Sequence, residues 1–435
     1  MPDRRSQPVP LPGVDLRRLR RGDYSDAYFL HAARILDRMS IRGERHRGRA
    51  PALRGAAGPL PPFRPGDAEV EMQFFTRRRP LTVVSGIGPA LWLIREGVGA
   101  AGGARGCRPA VRAVPEGTLT RPLDPVITLI GRYARFAHLE TVVLGVLTRS
   151  SRIATNVFEA LVAARGKPIL FFPARFDLPQ TQAADGWAYR VAIEAYGRAT
   201  GRRVPAFIST DAQGDLAGGR GVGTVPHAYI LCHLGDTAEA LLALCRHLPE
   251  AVRRIALVDT TNDCVGESVR TARRLFDCHL VHLKAGRPAL ARRYVLHGVR
   301  ADTSAELRDR SVPPARDRRL ERGVTPTLVR RIRRALDALP DALGLDRRWR
   351  AVATRYFRSI EIVASGGFDA ARIRRFERRN IPVDAYGVGS SLLRGPVTDF
   401  TADVVRVRLG GRLRVVAKTG RGPRINRALR EVRLW

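Results

Sequence analysis

Residues 360–390 read IEIVASGGFDAARIRRFERRNIPVDAYGVGS, and this stretch decides the fold class. The run IEIVA has the length and apolar content of a buried strand, and AARIRRFERR places its apolar residues at helical spacing. The run VDAYGV is predicted to be a second strand. A strand, a helix and a strand in this order form the repeating unit of a β/α barrel.

The same alternation extends upstream to about residue 150. Further strands are predicted at PILFF (168–172), VPAFIST (204–210), RIALVDT (254–260) and YVLHGVRAD (294–302). Helices are predicted between and after them, at 153–164, 187–198, 236–248, 269–276 and from residue 326 onward. The alternation, over about 240 residues, predicts an α/β fold with an irregular, TIM-like β/α barrel at 150–394. Because such barrels gather catalytic residues at the carboxyl ends of their strands, we expect the chemistry directly after each strand.

The first 149 residues have a different pattern of predicted strands, helices and loops. Residues 1–22 are rich in arginine and proline, contain no apolar segment, and are predicted to form a flexible leader. Residues 23–149 are predicted to form an N-terminal α/β module, in which 42–65 is a mobile loop. Within this module, 68–148 is predicted to mix strands and turns, and PEGTLTRPLDPVITLIG (115–131) has the short strands and turns typical of a small β sandwich.

The charge of the chain is unusual, because 76 basic residues face 41 acidic ones and give a formal net charge of +35. Only three of the basic residues are lysines, and the arginines are spread along the whole length. Two explanations remain open: a genome that favours arginine codons, or a surface that binds nucleic acid. In either case the electrostatic field favours anionic ligands.

The cysteine pattern and the hydropathy exclude several classes of protein. The five cysteines form no C-x-x-C pair and no even set, so disulfides and structural zinc are not expected. A reducing, cytoplasmic location fits this pattern best. No segment approaches the roughly 20 consecutive apolar residues that a transmembrane helix requires, so an integral membrane protein is not expected.

Glycine-rich loops follow the last two predicted strands. They are Ser365-Gly366-Gly367 after IEIVA and Gly387-Val388-Gly389-Ser390 after VDAY. Glycine lets backbone N–H groups approach an anion closely, and the loops after the last two barrel strands commonly bind phosphate. These loops therefore predict a phosphate site, with two ordinary glycine turns as the alternative.

Charged side chains follow three other predicted strands or loops. Asp259 follows RIALV, while Arg300 and Asp302 close YVLHGVRAD. Carboxylates at these positions can hold ribose hydroxyls or magnesium-bound pyrophosphate, and the arginine can pair with a carboxylate or phosphate. His227 ends the glycine-rich run STDAQGDLAGGRGVGTVPH, where it can act as a nucleophile or as an acid or base. The alternatives are a helix cap, an ion pair and a structural histidine.

Nine short motifs resemble those of the nicotinate phosphoribosyltransferase family, and they occur in the family's order. They are SDAYF (25–29), MQFFTRR (72–78), HLETVVLGVL (138–147), FFPARF (171–176), GTVPHA (223–228), GVRADT (298–303), ASGGFD (364–369), DAYGVGSS (384–391) and DFTADVV (399–405). The resemblance implies an N-terminal α/β module that is completed by C-terminal strands, at 395–435, and packed on an irregular β/α barrel. It also implies a homodimer in which Tyr28 of one subunit reaches the pyridine ring bound in the other.

The resemblance also assigns roles to individual residues. Phe172 would stack on the other face of the pyridine, and Arg175 would lie near the carboxylate and phosphate end. Arg300 is a second candidate for the carboxylate, and Asp259 and Asp302 would lie at the ribose and pyrophosphate. The residues implied to cradle the 5-phosphate are Ser365, Gly366, Gly367, Gly387, Gly389 and Ser390. His227 matches the histidine that family members phosphorylate with ATP.

The expected reaction joins nicotinate to phosphoribosyl pyrophosphate, forms nicotinate mononucleotide and pyrophosphate, and is coupled to ATP hydrolysis in NAD salvage. Mg²⁺ is expected to enter with phosphoribosyl pyrophosphate and ATP, and no tightly bound cofactor or resident metal is expected. Pyridine nitrogen is a weak nucleophile, so catalysis must stabilise an oxocarbenium-like ribose by positioning and electrostatics.

Three alternatives stay open on the sequence. Asp211 lies near the position where nicotinamide-using relatives carry an aspartate, so nicotinamide is the second candidate base. A quinolinate-type enzyme needs a cluster of basic residues for a doubly charged substrate, and no lysine lies between Lys167 and Lys284. From another class, a basic barrel that binds nucleic acid predicts steeply salt-dependent binding and no turnover.

Overall fold

The computed structural model describes residues 7–54, 61–99, 108–314 and 321–435, which form two β-sheets surrounded by helices. The strands are β1 (Glu69–Thr76), β2 (Thr82–Val83), β3 (Ala110–Ala113), β4 (Leu119–Thr120), β5 (Ile127–Arg132), β6 (Ile169–Phe171), β7 (Phe207–Ile208), β8 (Ile255–Leu257), β9 (Gly298–Ala301), β10 (Glu361–Ala364), β11 (Ala385–Val388), β12 (Phe400–Leu409), β13 (Arg412–Val415) and β14 (Arg430–Val432). The helices are α1 (Leu16–Arg21), α2 (Ala27–Arg42), α3 (Ile87–Val98), α4 (Glu140–Ala163), α5 (Gln182–Thr200), α6 (His227–Cys232), α7 (Thr237–His247), α8 (Cys264–Lys284), α9 (Pro288–Arg292), α10 (Pro326–Ala342), α11 (Arg347–Arg358) and α12 (Ala370–Arg378).

The first sheet is antiparallel and combines both ends of the chain. Its strand order is β13-β12-β1-β5-β3-β14, so strands from the C-terminal segment lie next to strands of the N-terminal module. β12 pairs with β1, and β14 pairs with β3. The small β sandwich expected at 115–131 does not form, because β5 joins this sheet and β4 pairs only with β2. One face of this sheet shares a core with α3, in which Val70 and Phe74 pack with Leu91.

The second sheet is parallel and follows the predicted alternation of strands and helices. Its order is β7-β6-β11-β10-β9-β8, and each of its five strand pairs is parallel. In the described residues, β7 and β8 lie at the two edges and do not pair with each other, so the sheet is a half-barrel. The expected irregular, TIM-like barrel is therefore supported as a parallel half-barrel, and a full barrel is not confirmed in the described residues.

Helix α4 belongs to both hydrophobic cores. Val143 and Leu147 in its first half pack in the core of the antiparallel sheet. Ile153, Val157 and Leu161 in its second half pack in the core of the half-barrel. The spacing of three to four residues keeps the apolar side chains on one face of the helix. The boundary expected between residues 149 and 150 therefore falls inside one continuous helix.

Part of the segment expected to be a flexible leader is helical. The Asp15 side chain accepts hydrogen bonds from the N–H groups of Arg17 and Arg18 and caps the start of α1. Leu19 is buried in the core of the antiparallel sheet. Residues 1–6 of the leader, and 55–60 of the loop expected at 42–65, lie outside the described residues.

A buried carboxyl group also connects the two modules. Glu116 accepts hydrogen bonds through Oε1 from the N–H of Gly88 (2.9 Å), at the start of α3, and from Trp187 Nε1 (3.2 Å), on α5. Burial raises the pKa of Glu116 to about 7, and the hydrogen bonds from Gly88 and Trp187 oppose that rise.

No helix in the described residues is both long enough and apolar enough to cross a membrane.

Candidate active site

A cleft of about 780 Å³ opens at the carboxyl ends of the parallel strands. Phe172, Ser209, Asp302, Ser365 and Gly389 each line it and directly follow β6, β7, β9, β10 and β11. Eleven of the residues predicted from the sequence line this cleft: Phe172, Arg175, His227, Arg300, Asp302, Ser365, Gly366, Gly367, Gly387, Gly389 and Ser390. The position agrees with the general placement of ligand sites in parallel α/β sheets.

The first glycine loop has the backbone geometry of an anion cradle. Gly366 and Gly367 have φ angles of +83° and +73°, a left-handed conformation that side chains disfavour. Ser365 Oγ donates a hydrogen bond to Asp302 Oδ1 (2.8 Å), which ties this loop to the end of β9. Arg372, on α12, donates from Nη1 to the carbonyl oxygen of Gly366 (2.6 Å) behind the loop. The N–H of Ser365 donates to the carbonyl oxygen of Ala301 (3.0 Å), so Gly366 and Gly367 supply the backbone N–H groups that an anion can approach.

The second glycine loop lies directly against aromatic rings. A Cβ atom added to Gly387 would lie 2.9 Å from Phe172 Cε2 and 2.9 Å from Ser365 Cβ. A Cβ atom on Gly389 would lie 2.6 Å from Phe176 Cε2. The absence of side chains here therefore makes room for the rings of Phe172 and Phe176, both of which line the cleft.

His227 and Asp259 form a hydrogen-bonded pair at the rim of the cleft. His227 is the first residue of α6, and its Nε2 lies 3.0 Å from Asp259 Oδ1. Burial raises the pKa of Asp259, His227 opposes this rise, and the nearby Asp302 adds to it. Because the Asp259 carboxylate accepts a hydrogen bond from Nε2–H, it favours the histidine tautomer that leaves a lone pair on Nδ1. This is the arrangement of an oriented nucleophile or base.

Arg300 brings a buried cation with unused donors to the cleft. Its side chain is only 14% exposed, and its Nη2 lies 3.9 Å from Asp302 Oδ2, beyond hydrogen-bonding distance. Among the described residues, its buried Nε has no hydrogen-bond partner. Burial lowers the pKa of Arg300, and Arg175 adds to this, while Asp302 and Asp259 oppose it. Its Cζ lies 5.9 Å from the centre of the Phe172 ring, so an anion bound here would sit beside that ring.

Two predicted site residues lie elsewhere. Asp211 is exposed and begins a short 3₁₀ helix, and its Oδ1 accepts a hydrogen bond from the N–H of Gly221 (2.7 Å). The cleft is lined at this edge by Ser209 and Thr210, not by Asp211. Tyr28 is 63% exposed on α2 and does not line the cleft of its own chain.

Two basic residues of the site were not singled out from the sequence. Arg394 lines the cleft, and Arg372 holds the first glycine loop from behind. The only sequence signal for Arg394 is its position four residues after the Gly387–Ser390 loop. With Arg175 and Arg300, Arg394 makes three arginines around one cleft, which strongly favours an anionic ligand.

Comparison with known proteins finds similarity to quinolinate and nicotinate phosphoribosyltransferases. Residues 57–151 match the family model described as the N-terminal domain of quinolinate phosphoribosyl transferase. A curated nicotinate phosphoribosyltransferase of Mycobacterium tuberculosis is 25% identical over 316 residues, which are 69% of this chain and 52% of that protein. The chain thus spans about half the length of the curated relatives it matches.

Solved structures agree with this relationship. Nicotinate-nucleotide pyrophosphorylase from Pyrococcus furiosus superimposes with a TM-score of 0.65 and 26% identity, covering 94% of this chain and 81% of that one. Human nicotinic acid phosphoribosyltransferase superimposes with a TM-score of 0.50 and 16% identity, covering 88% and 75%. The second likeness concerns the fold alone.

Proposed function

We propose that this chain, which resembles nicotinate phosphoribosyltransferases, joins nicotinate to phosphoribosyl pyrophosphate and releases pyrophosphate. One observation carries the proposal. Two glycine loops, a buried arginine with unused donors and an aromatic ring meet in a single cleft. These features match, in turn, a phosphate, a carboxylate and a pyridine ring. The product, nicotinate mononucleotide, belongs to NAD salvage.

The glycine loops are proposed to hold the 5-phosphate of phosphoribosyl pyrophosphate. Backbone N–H groups of Gly366, Gly367 and Gly389, with the Ser390 hydroxyl, would donate to the phosphate oxygens. Asp302 lies between the first loop and Arg300, where its carboxylate can accept hydrogen bonds from ribose hydroxyls. The excess of arginine around the cleft compensates the negative charge of the substrate.

Mg²⁺ is proposed to enter with the pyrophosphate. In the described parts of the chain, no group of three or more His, Cys, Asp or Glu side chains forms a metal site. The carboxylates of Asp259 and Asp302 are hard oxygen donors of the kind that Mg²⁺ accepts, and one or two such ligands suffice when phosphates supply others. When bound, the ion would neutralise the charge of the departing pyrophosphate.

The base is proposed to stack on Phe172 with its carboxylate directed toward Arg300. The Arg300 guanidinium has an unpaired Nε–H and can bind a carboxylate through two parallel hydrogen bonds. A neutral amide offers this guanidinium no negative charge beyond that of Asp302, which lies 3.9 Å away, so the site favours nicotinate over nicotinamide. The position of Asp211, whose carboxylate is engaged by Gly221 outside the cleft, supports the same choice.

In the proposed reaction the pyridine nitrogen forms a bond to C1 of the ribose as the bond from C1 to pyrophosphate breaks. The chain's own residues position the two substrates and stabilise the developing positive charge on the ribose. The carboxylate of Asp302 is the nearest candidate for that stabilisation, because it lies in the cleft beside Arg300.

His227 is proposed to couple ATP hydrolysis to this transfer. With Nε2 hydrogen-bonded to Asp259, Nδ1 can attack the γ-phosphorus of ATP, so that an N–P bond forms and ADP leaves. Water later cleaves the N–P bond and releases phosphate. The pairing with a buried carboxylate supports this role, because it orients the ring.

We also propose a cytoplasmic homodimer in which Tyr28 enters the cleft of the second copy. The ring of Tyr28 is exposed on α2, and it packs against Phe29 with ring centres 4.2 Å apart. An exposed aromatic ring is typical of a surface that another chain covers. Sedimentation of the purified protein, with a Tyr28→Ala variant, tests the dimer separately from activity.

A quinolinate-type activity is the second candidate. The family model that matches residues 57–151 is named for that enzyme, and three arginines line the cleft. Three cations match a dicarboxylate plus a phosphate as well as they match one carboxylate plus pyrophosphate. Quinolinate would yield nicotinate mononucleotide together with carbon dioxide, so the release of carbon dioxide distinguishes the two activities.

A product assay with three bases tests the proposal. Purified protein is mixed with phosphoribosyl pyrophosphate, Mg²⁺ and nicotinate, nicotinamide or quinolinate, with and without ATP. Nicotinate mononucleotide from nicotinate is the expected product. Arg300→Met should lower kcat/KM for nicotinate by about 10- to 150-fold, the equivalent of about 1.5–3 kcal/mol for a charged hydrogen bond. Arg374→Met, an exposed arginine on α12, is the matched control and should have no effect. An equal loss with nicotinate and nicotinamide would assign Arg300 to the phosphoribosyl substrate instead.

A further inference from the structure

A buried side-chain amide on α4 holds the end of the second glycine loop. Asn156 is 8% exposed, and its Nδ2 donates hydrogen bonds to the carbonyl oxygens of Leu392 (2.9 Å) and Arg394. Both carbonyls lie in the segment that continues from Gly389 and Ser390 toward β12. Since both carbonyl oxygens are bonded to Asn156, they point away from the cleft.

Arg78 determines which way this amide faces. Its side chain is 1% exposed, and its Nη2 donates to Asn156 Oδ1 (3.0 Å) and to Glu159 Oε1 (3.0 Å). Its Nη1 donates to Thr398 Oγ1 (2.8 Å), further along the same segment. A guanidinium group has only donors, so it can pair with the oxygen end of the amide alone. The NH₂ end is therefore directed at the loop.

The contact leaves little free space. Gly395 has a φ angle of +126°, and a Cβ atom there would lie 3.1 Å from Asn156 Oδ1 and 3.2 Å from Nδ2. Arg394 and Gly395 both line the cleft. The position of the Asn156 amide therefore sets the path of the cleft wall and the point from which the Arg394 side chain extends.

We infer that Asn156 is a positioning residue for the binding of pyrophosphate-bearing substrates, with Arg78 as the group that orients it. The inference rests on the proposed function for the identity of the substrate, and it assigns the pyrophosphate group to Arg394, whose side chain lines the cleft next to the 5-phosphate loops. Two peptide carbonyls turned into the cleft would bring partial negative charge to a site for anions. The amide of Asn156 prevents this by binding both of them, and it does so without touching the substrate.

An isosteric substitution tests the inference. Asn156→Asp keeps the shape of the side chain and the contact with Arg78, but it places an oxygen against the two carbonyl oxygens. The resulting repulsion should displace the loop. We expect the KM for phosphoribosyl pyrophosphate to rise at least tenfold, while kcat and the KM for nicotinate change less than threefold. Glu159→Gln is the matched control, since Glu159 contacts Arg78 but not the loop. The KM of this variant for phosphoribosyl pyrophosphate should stay within twofold of the wild-type value.

A binding measurement separates this inference from the proposed function. The Kd of inorganic pyrophosphate with Mg²⁺, measured by calorimetry, requires no turnover and should also weaken at least tenfold in Asn156→Asp. If the wild-type protein binds pyrophosphate but converts none of the three bases, the proposed function fails while the Kd comparison still decides the role of Asn156.

Three outcomes would overturn the inference. The first is a wild-type protein that does not bind pyrophosphate, and the second is an Asn156→Asp variant with an unchanged Kd. The third is a lower Tm and kcat together with an equal rise of the KM for both substrates, which would indicate a purely structural role. Should Asn156→Asp not fold, Asn156→Ala removes the same two donors without adding charge, and a Kd change below threefold in that variant would also overturn it.

Discussion

Replacing Gly387 by alanine adds one methyl group at a crowded point of the cleft. The new Cβ atom would lie 2.9 Å from both Phe172 Cε2 and Ser365 Cβ, so at least one of these groups must move. Gly387 is not among the glycines with positive φ, so alanine introduces no backbone strain and the effect comes from the methyl group alone. Overpacking of this kind typically costs about 1–3 kcal/mol.

The cost should fall on ligand binding. A shift of Phe172 alters the face on which the base stacks, and a shift of Ser365 alters the first glycine loop. At about 1.4 kcal/mol per factor of ten, kcat/KM for nicotinate should fall by about 5- to 150-fold. The assay compares kcat/KM for nicotinate and for phosphoribosyl pyrophosphate in the wild type and the variant, together with Tm.

Gly145→Ala is the matched control for this experiment. Gly145 lies in α4, and nothing lies within 4 Å of the position of an added Cβ atom. Alanine in a helix stabilises by about 0.5–1 kcal/mol relative to glycine, so this variant should gain stability and keep its activity. A Gly387→Ala enzyme with wild-type kcat/KM for both substrates would refute the steric argument.

Three further predictions follow from the site and the fold. His227→Ala should abolish stimulation by ATP while weak transfer continues, and full stimulation in that variant would rule out a phosphohistidine. Asp302→Ala should reduce transfer both with and without ATP, because Ser365 Oγ loses its acceptor and Arg300 its nearest anion; unchanged kcat/KM would contradict this. Burial raises the pKa of Glu116 from 4.5 to about 7. The contribution of its protonated form to the stability of the folded protein is therefore complete below pH 4.5 and is lost as the pH rises through 7. Glu116→Gln should therefore flatten the pH dependence of unfolding and stabilise the protein at pH 8 by about 3 kcal/mol relative to the wild type, at about 1.4 kcal/mol per pKa unit; parallel denaturation curves at pH 5 and pH 8 would contradict it.

Much of the half-barrel could be predicted from local patterns. Each predicted strand is a short apolar run, and the residues at its carboxyl end, such as Asp302 and Ser365, lie together because parallel strands end at the same edge. Closure of the barrel was not predictable in this way. It depends on hydrogen bonds between β7 and β8, and periodicity does not reveal that β7 keeps only two residues in the sheet.

The direction of a side chain in a loop was also beyond the pattern analysis. Asp211 begins a 3₁₀ helix in which Thr210 and Gln213 form a capping box, and this local geometry turns its carboxylate toward Gly221. The Thr-x-x-Gln spacing was present in the sequence and is a known signature of a helix start. The contact between Asn156 and Arg394 spans 238 positions, so no local pattern indicates it.

Helix α4 has a consequence for how the protein can be divided. One continuous helix contributes Leu147 to the first core and Ile153 to the second, so no linker separates the two cores at this point of the chain. A fragment that starts at residue 150 would expose the apolar face of half a helix and should aggregate. Heat and denaturant should therefore melt the two halves in a single cooperative transition. The half-barrel is thus not expected to fold as an independent domain, and variants with altered base choice have to be made within the intact chain.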